Sequence, residues 1–548
     1  MKEAEQSRDD ATHADGCGTA SGIPRWTGEN SPAPATTVAH PEDPEIGVKS
    51  PESAPPRPTV PHRDGLALAL VAFALYSLLG QHTLYGVDAH VFLLKSHFHD
   101  LAHKYHVFYL PLLEQLKWLL RPLHLSLHDT ARLFSALGTA LGVWFAHLSC
   151  RQLALPRNDA VFVTVLVALC PAVLFFATVV ESPGPFFAFA GAALWLCARL
   201  ATRVTLPRSL ACGAGIGVLY LAHPTGALLL ALLPAILSLG GGHRAGATVR
   251  PTLAAGVAAL LVLGVVPPLL RQTGSLSDPG FALAYVESFL RGMGDHVLRL
   301  GPCALWEWLW PFAPISLLWL VALATPRCRV PAALLGLGLL PYLGVAAIIL
   351  ADGVHEGGAY LVVFAWPGAL LSARLVRSAT LRWVACIVAA AIGVGRVVQH
   401  DRPERARSYF DGVQALAAGH PFAVALGDHR DVEAFFLHFE HAPAIELVKV
   451  AGERATEFRR TLQWFDRQVR AALDAGCVVL VSAAAMRNLY EATQSGAWEF
   501  APEPRVLVEV PAAQAGVLWV MLRDEFALEP VQSAGFTGFR LRKARPPR

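Results

Sequence analysis

The stretch "LFFATVVESPGPFFAFAGAALWL" (174–196) is apolar on both sides of one glutamate and then breaks at Pro183-Gly184-Pro185. An acid so placed is costly in lipid and more often marks a cavity or pathway than a lipid-facing surface. The rest of the chain supports lipid as its solvent. Hydrophobic residues make up 54% of the 548 and charged residues 16%, with a mean hydropathy of +0.43, a composition that fits several membrane spans better than one soluble core. A net charge of +3, without a basic block or aromatic-basic repeat, argues against nucleic acid as a partner. The nine cysteines stand singly, so neither a disulfide framework nor a cysteine metal site is implied. Cys303 and Cys477 are expected near the non-cytoplasmic side.

Residues 1–63 are rich in Pro, Ser, Thr and Ala and have no apolar period, which predicts a disordered cytoplasmic tail and no signal peptide. Apolar runs follow at 65–84, 130–149, 159–179, 184–198, 209–222, 225–239, 252–270, 304–324, 331–350, 359–373 and 381–398, about eleven spans. The fifth and sixth are short and meet at "HPTG" (223–226), so one bent hairpin that does not fully cross is the alternative to two spans. Alternate loops read "RQLALPRN", "RLATRVTLPR", "GGHRAGATVR", "TPRCRVP" and "RLVRSATLR", each with at least two arginines and no acid. The positive-inside rule assigns these to the cytoplasm. The other loops collect Asp88, Asp100, Glu114, Asp129, Glu181, Asp278, Glu287, Asp295, Glu307, Asp352 and Glu356, so the carboxylates are expected together outside.

After the polar linker "HDRPERARSYFDG" (400–412) the chain changes character. "FAVALGD" (422–428), "AIELVKV" (444–450) and "CVVLVSAAA" (477–485) read as buried strands. In 455–473, Phe458, Leu462, Phe465, Val469 and Leu473 recur at helical spacing. The expected architecture is thus a polytopic α-helical membrane protein, with a transmembrane domain over 64–398, interfacial helices at about 88–128 and a non-cytoplasmic α/β domain over 399–548. The last of these carries no Gly-rich phosphate loop and no nucleophile elbow.

Four places offer chemistry. Asp88 follows the first span at "YGVDAH" (85–90), where it is either an N-cap for a helix beginning near Ala89 or a base held at the membrane face. Glu181 is either a residue next to the helix start at Ser182-Pro183 or a carboxylate at the outer mouth of a membrane cleft. "ADGVHEGGAYLVVFAWPGALL" (351–371) brings Asp352, His355, Glu356 and Tyr360 to the end of the ninth run, as turn residues or as a ligand-facing group. His223, in "HPTG", is a cap or a site residue on the same outer side. His99, His103 and His106 share one face if their segment is helical, a spacing that can hold zinc but that suits an interfacial helix, with Lys95, facing lipid headgroups.

In order and in shared side, these elements resemble the glycosyltransferase C superfamily, polytopic enzymes that take a sugar from a polyprenyl or dolichyl phosphate carrier. That family includes protein O-mannosyltransferases, oligosaccharyltransferases and the bacterial transferases that decorate lipid A with aminoarabinose. The similar segments are "GVDAH", the long first outer loop, "VVESPGP", "HPTG" and "HEGGAYLVVFAWPGALL", within about residues 65–400. The resemblance implies an inverting hexosyl or pentosyl transferase in a bacterial inner membrane, with a polyprenyl-phosphate sugar as donor and a lipid, glycan or protein hydroxyl as acceptor. Asp88 would then be the general base, with Glu181 assisting it or holding a divalent ion. Glu356 and Tyr360 would line the donor pocket with His355 and His223. By charge, His90, Lys95 and Arg132 are candidates for the carrier phosphate. The sequence departs from the family in having His223 where arginine is commoner and in lacking an Asp-x-Asp pair, so no cofactor is certain and a divalent ion is only an option. The rival reading is a transporter or lipid flippase with carboxylates as coupling sites, which would place them near the midplane and in both halves of a repeat.

Overall fold

The computed structural model describes residues 63–101, 106–241, 245–272, 301–351, 358–452, 457–502 and 505–544. Its first part is a helical bundle. In chain order the helices are α1 (Arg63–Leu78), α2 (Gly86–His97), α3 (Tyr109–Leu120), α4 (Leu127–Gln152), α5 (Arg157–Leu169), α6 (Pro171–Thr178), α7 (Pro183–Thr202), α8 (Leu206–Ala222) and α9 (Leu229–Gly241). There follow α10 (Val249–Gln272), α11 (301–309), α12 (Ile315–Ala324), α13 (Arg329–Ala351), α14 (Ala365–Leu375) and α15 (Ala379–His400). Among the described residues, five helices are long and apolar enough to cross a membrane, or six if the pair α5 and α6, bent by 55°, is one span.

Several predicted runs are corrected in extent. The first, expected over 65–84, ends as a helix at Leu78. The run at 304–324 is two helices, α11 and α12, separated by a turn that contains Pro311 and Pro314. The break between α5 and α6 has the same cause, since Pro171 has no N–H to continue the ladder of α5.

The Pro-Gly-Pro of the opening stretch starts α7, with Pro183 in its first turn. Gly184 lets that turn close on α4: a Cβ there would lie 2.8 Å from the Phe176 carbonyl oxygen and from Ser135 Cβ. Gly138 and Gly142 of α4 return the favour, since a Cβ on them would meet Pro185 Cα at 2.4 Å and Phe187 Cδ1 at 2.3 Å. Small residues at a helix crossing give membrane helices the dispersion contact that water supplies no drive for.

One end of the bundle gathers arginines. Arg157 of α5 pairs with Asp64 of α1 at 2.6 Å, Arg382 of α15 pairs with Asp159 of α5 at 2.6 Å, and Arg374 of α14 donates to the Leu239 carbonyl of α9. The opposite end gathers the loop after α1, the α6–α7 turn, the end of α8 and the start of α16 (Glu404–Ala417). There Asp401 accepts from the backbone N–H of His82 (2.8 Å) and Thr83 (3.1 Å).

On that second end lies an α/β layer. A five-stranded sheet runs in the order β2-β1-β3-β7-β6, with β1 (Phe422–Leu426), β2 (Ala444–Glu446) and β3 (Val478–Ser482) parallel, and β7 (Phe536–Lys543) antiparallel to both β3 and β6 (Phe526–Ser533). A separate hairpin joins β4 (Ala497–Pro502) and β5 (Arg505–Glu509). The helices are α17 (His429–Ala434), α18 (Leu447–Ala451), α19 (Phe458–Asp474), α20 (Ala483–Ser495) and α21 (Ala512–Glu525). The strand expected over 444–450 is three residues of β2 and then α18. The strand expected over 477–485 stops at Ser482, whose hydroxyl accepts the Ala485 N–H and so caps α20.

This layer shares one apolar core with α2 and α3. Phe92, Leu93, Tyr109, Leu110 and Leu113 are buried in the same cluster as Phe435, Phe436 and Ile445. Two glutamates complete the junction: Glu433 accepts the Leu84 N–H at 3.1 Å, and both oxygens of Glu440 accept the Leu127 N–H at the start of α4. Burial holds both carboxyls above their ordinary range.

Candidate functional site

α2 opens at Gly86, whose φ of +65° glycine adopts without steric cost. Tyr85, the residue before it, caps nothing through its side chain, and Asp88 sits within the first turn. Asp88 is therefore not the N-cap of a helix starting near Ala89. Its carboxylate is about half exposed, and Oδ2 lies 3.4 Å from Nε2 of the buried His106.

His106 is brought there by the loop that leaves α2. The Val107 N–H donates to the Leu221 carbonyl at 3.2 Å, laying this loop across the end of α8. His106 Nδ1 is 3.4 Å from the Ala222 carbonyl oxygen, and its ring is 4.9 Å from that of His223. His223 is buried at the junction of α8 with the 3₁₀ turn Pro224–Leu228 and works as a cap: the Thr225 N–H donates to its Nδ1 at 3.2 Å. With Nδ1 accepting, the neutral ring carries its proton on Nε2. His223 also meets Phe186 at 5.0 Å and Tyr360 at 5.5 Å between ring centroids. Tyr360 stands on the 3₁₀ turn Ala359–Phe364, entered through Gly358 at φ +90°.

Glu181 is buried in the turn between α6 and α7. Its Oε1 accepts from Ser182 N–H (2.9 Å) and Ser182 Oγ (3.2 Å), while its backbone carbonyl accepts from Ser135 Oγ of α4 (3.3 Å). Its Oε2 faces Gly86: a Cβ on Gly86 would be 3.7 Å away. The carboxylate thus sits at the N-terminal end of α2, where backbone N–H groups favour negative charge.

Tyr109 connects the two acids. It stacks on Phe92 at 3.8 Å and its hydroxyl is buried without a hydrogen-bond partner among the described residues. Burial, and then the charges of Glu181 and Asp88, push this phenol well above its ordinary range. Beside it opens a small cleft lined by Phe108, Tyr109, Phe134, Ser182, Pro185, Phe186 and Phe189.

Four of the residues singled out from sequence, Asp88, Glu181, His223 and Tyr360, therefore belong to one constellation. Three others lie apart. His90 is buried with Nδ1 2.7 Å from the Gly86 carbonyl and its ring 6.2 Å from His429; burial lowers its pKa to about 3, so it brings no positive charge. Lys95 pairs with Asp100 at 2.6 Å. Arg132 bonds the Gly80 carbonyl at 3.1 Å and Asp129 at 3.1 Å. Asp352, His355 and Glu356 lie outside the described residues, as does His103.

The helical face expected for His99, His103 and His106 is not formed. His99 takes φ +55° after α2 has ended and lies 4.0 Å from Glu114, whereas His106 turns to Asp88. Among the described residues no three His, Cys, Asp or Glu side chains converge on a point that could hold a metal ion. His106 and Tyr109 were missed as site residues. The first was hidden by assuming a helix. The second carries no sequence signal beyond an aromatic in an interfacial run. A further buried cation at this end, Arg396 of α15, lies with its guanidinium 4.7 Å from the centre of the Phe175 ring.

No family model and no curated protein matches this chain. Among solved structures it is similar to ArnT from Cupriavidus metallidurans bound to undecaprenyl phosphate, with 14% identity, a TM-score of 0.49, and coverage of 82% of this chain and 98% of that one. It is also similar to the Archaeoglobus fulgidus oligosaccharyltransferase in complex with Zn and sulfate, with 11% identity, a TM-score of 0.41, and coverage of 86% and 72% respectively. At such low identity, what this chain does has to be read from its own residues.

Proposed function

We propose that this protein is an integral-membrane glycosyltransferase that moves a sugar from a polyprenyl-phosphate donor to an acceptor hydroxyl, by a single inverting displacement at the non-cytoplasmic face. The observation that carries the reading is the run of contacts from Asp88 through His106 to His223 and Tyr360, with Glu181 at the start of α2 and both acids acting on the buried Tyr109, at the bundle end opposite the arginines. By the positive-inside rule that end faces away from the cytoplasm. A lipid phosphate leaves readily without proton donation, so the enzyme has mainly to deprotonate the nucleophile and hold it behind the anomeric carbon. Asp88, the more exposed acid, is the base. Glu181, buried against α2, fixes the turn and the field beside it. Tyr360 and His223 line the donor side, with Glu356 and His355 following from their place in the chain. Arg396, the buried cation at this end of the bundle, is assigned to the carrier phosphate. The α/β layer over 422–543 supports α2, the helix that bears Asp88.

The test is sugar transfer from a polyprenyl-phosphate donor by purified protein. Asp88→Asn is expected to cut transfer by about a hundredfold or more, the scale of losing a general base, and Glu181→Gln by less. Membrane levels of both should match wild type. Wild-type transfer by a well-expressed Asp88→Asn protein would remove the catalytic assignment and favour a transporter instead.

A further inference from the structure

The geometry points to a base made of two side chains: we propose that His106 is the positioning and proton-accepting partner of Asp88, acting through the carboxylate on the acceptor hydroxyl. This deepens the transferase reading above and rests on it.

His106 is buried, and its two ring nitrogens face different partners. Nδ1 is held at the Ala222 carbonyl, 3.4 Å away, and a carbonyl can only accept; Nδ1 therefore carries the proton in the neutral ring. Nε2 then faces Asp88 Oδ2 as an acceptor, 3.4 Å away, and the ionised carboxylate is an acceptor too. One proton shared between them would join the two. Val107 N–H to Leu221 and the edge-on contact of His106 with Phe92 (5.5 Å), which itself stacks on Tyr109 (3.8 Å), fix the ring in this pose.

In the working form Asp88 is ionised and His106 neutral. As the acceptor oxygen forms its bond to the anomeric carbon, the bond from that carbon to the carrier phosphate oxygen breaks, and the phosphate leaves with the electron pair. The hydroxyl proton passes to Asp88 and settles between Oδ2 and Nε2, leaving an imidazolium–carboxylate pair that later loses the proton to solvent. At lower pH the gap is filled beforehand and transfer stops. Among the described residues, the titratable groups facing His106 are Asp88 from α2, His223 from the end of α8 and Tyr109 from α3, with Tyr360 beyond His223 and Glu181 beyond Tyr109.

The pH dependence of transfer separates this from a packing role. The acid limb of wild-type transfer belongs to the Asp88–His106 pair as a whole. In His106→Gln that limb is expected to move to lower pH, while the plateau falls by about tenfold or more. A His106→Gln enzyme with wild-type plateau and limb while Asp88→Asn is inactive would overturn the proposal and leave the transferase reading standing. An active Asp88→Asn protein removes both. If His106→Gln does not accumulate in membranes, His106→Asn is read against the same two outcomes.

Discussion

Tyr109 shows how one residue at the site can be structural liability and functional asset at once. Its hydroxyl is buried without a protein partner among the described residues, under the influence of both acids, and an unmet buried polar group costs about 1–3 kcal/mol. Tyr109→Phe is therefore expected to match or exceed wild-type thermal stability, by up to about 1 kcal/mol, while the acceptor KM rises because the hydroxyl meets its partner only when substrate enters. A melt and a transfer assay on the same preparation check this; lower stability with unchanged KM would show that the phenol already has a partner. At this scale the sequence was informative wherever a charge or proline interrupted an apolar run. Asp88, Glu181 and His223 stand out for that reason, because lipid leaves few explanations for such groups. His106 did not, because its role depends on a loop crossing the end of α8, which no local pattern encodes.

The element that binds the α/β layer internally is the β1–α17 turn. Asp431 accepts from Tyr409 Oη of α16 (2.5 Å), from the Gly427 and Asp428 N–H groups (3.2 and 2.9 Å) and from Ser482 Oγ at the end of β3 (3.0 Å). Burial, and then the charge of Asp428, raise its pKa from 3.8 to about 7. A group whose pKa is raised on folding contributes stability that is complete below its unfolded value and is lost as pH rises through the folded one. The melting-temperature difference between wild type and Asp431→Asn should therefore shrink as pH rises from about 4 to about 7; a difference independent of pH would mean that Asp431 does not titrate with folding. Elements of this layer were partly legible. The buried run of β1 and the amphipathic period of α19 were plain, whereas β6 and β7 were not read as strands. Their alternation is weak because both lie toward one edge of the sheet, where one face remains wet.

For the whole molecule, Arg157 and Arg382 pair at one end of the bundle with Asp64 and Asp159, two acids that the alternation of arginine-rich and acidic loops did not count, while Asp401 meets His82 at the other end. The number of crossings was less legible, because Pro171 and the turn before α12 break runs that composition joins. With the native cysteines replaced, single cysteines at 88 and 356 are expected to react with an impermeant thiol reagent in intact spheroplasts, and those at 204 and 378 only after lysis. The reverse pattern would invert the orientation and move the proposed site to the cytoplasm. The junction between Leu84 and Glu433 has a consequence in time. The two residues are 349 positions apart, and a ribosome adding about 5–20 residues per second needs on the order of half a minute to make the second after the first. Until then the Leu84 N–H lacks this acceptor and the start of α2 must form without the apolar layer it packs against in the finished fold.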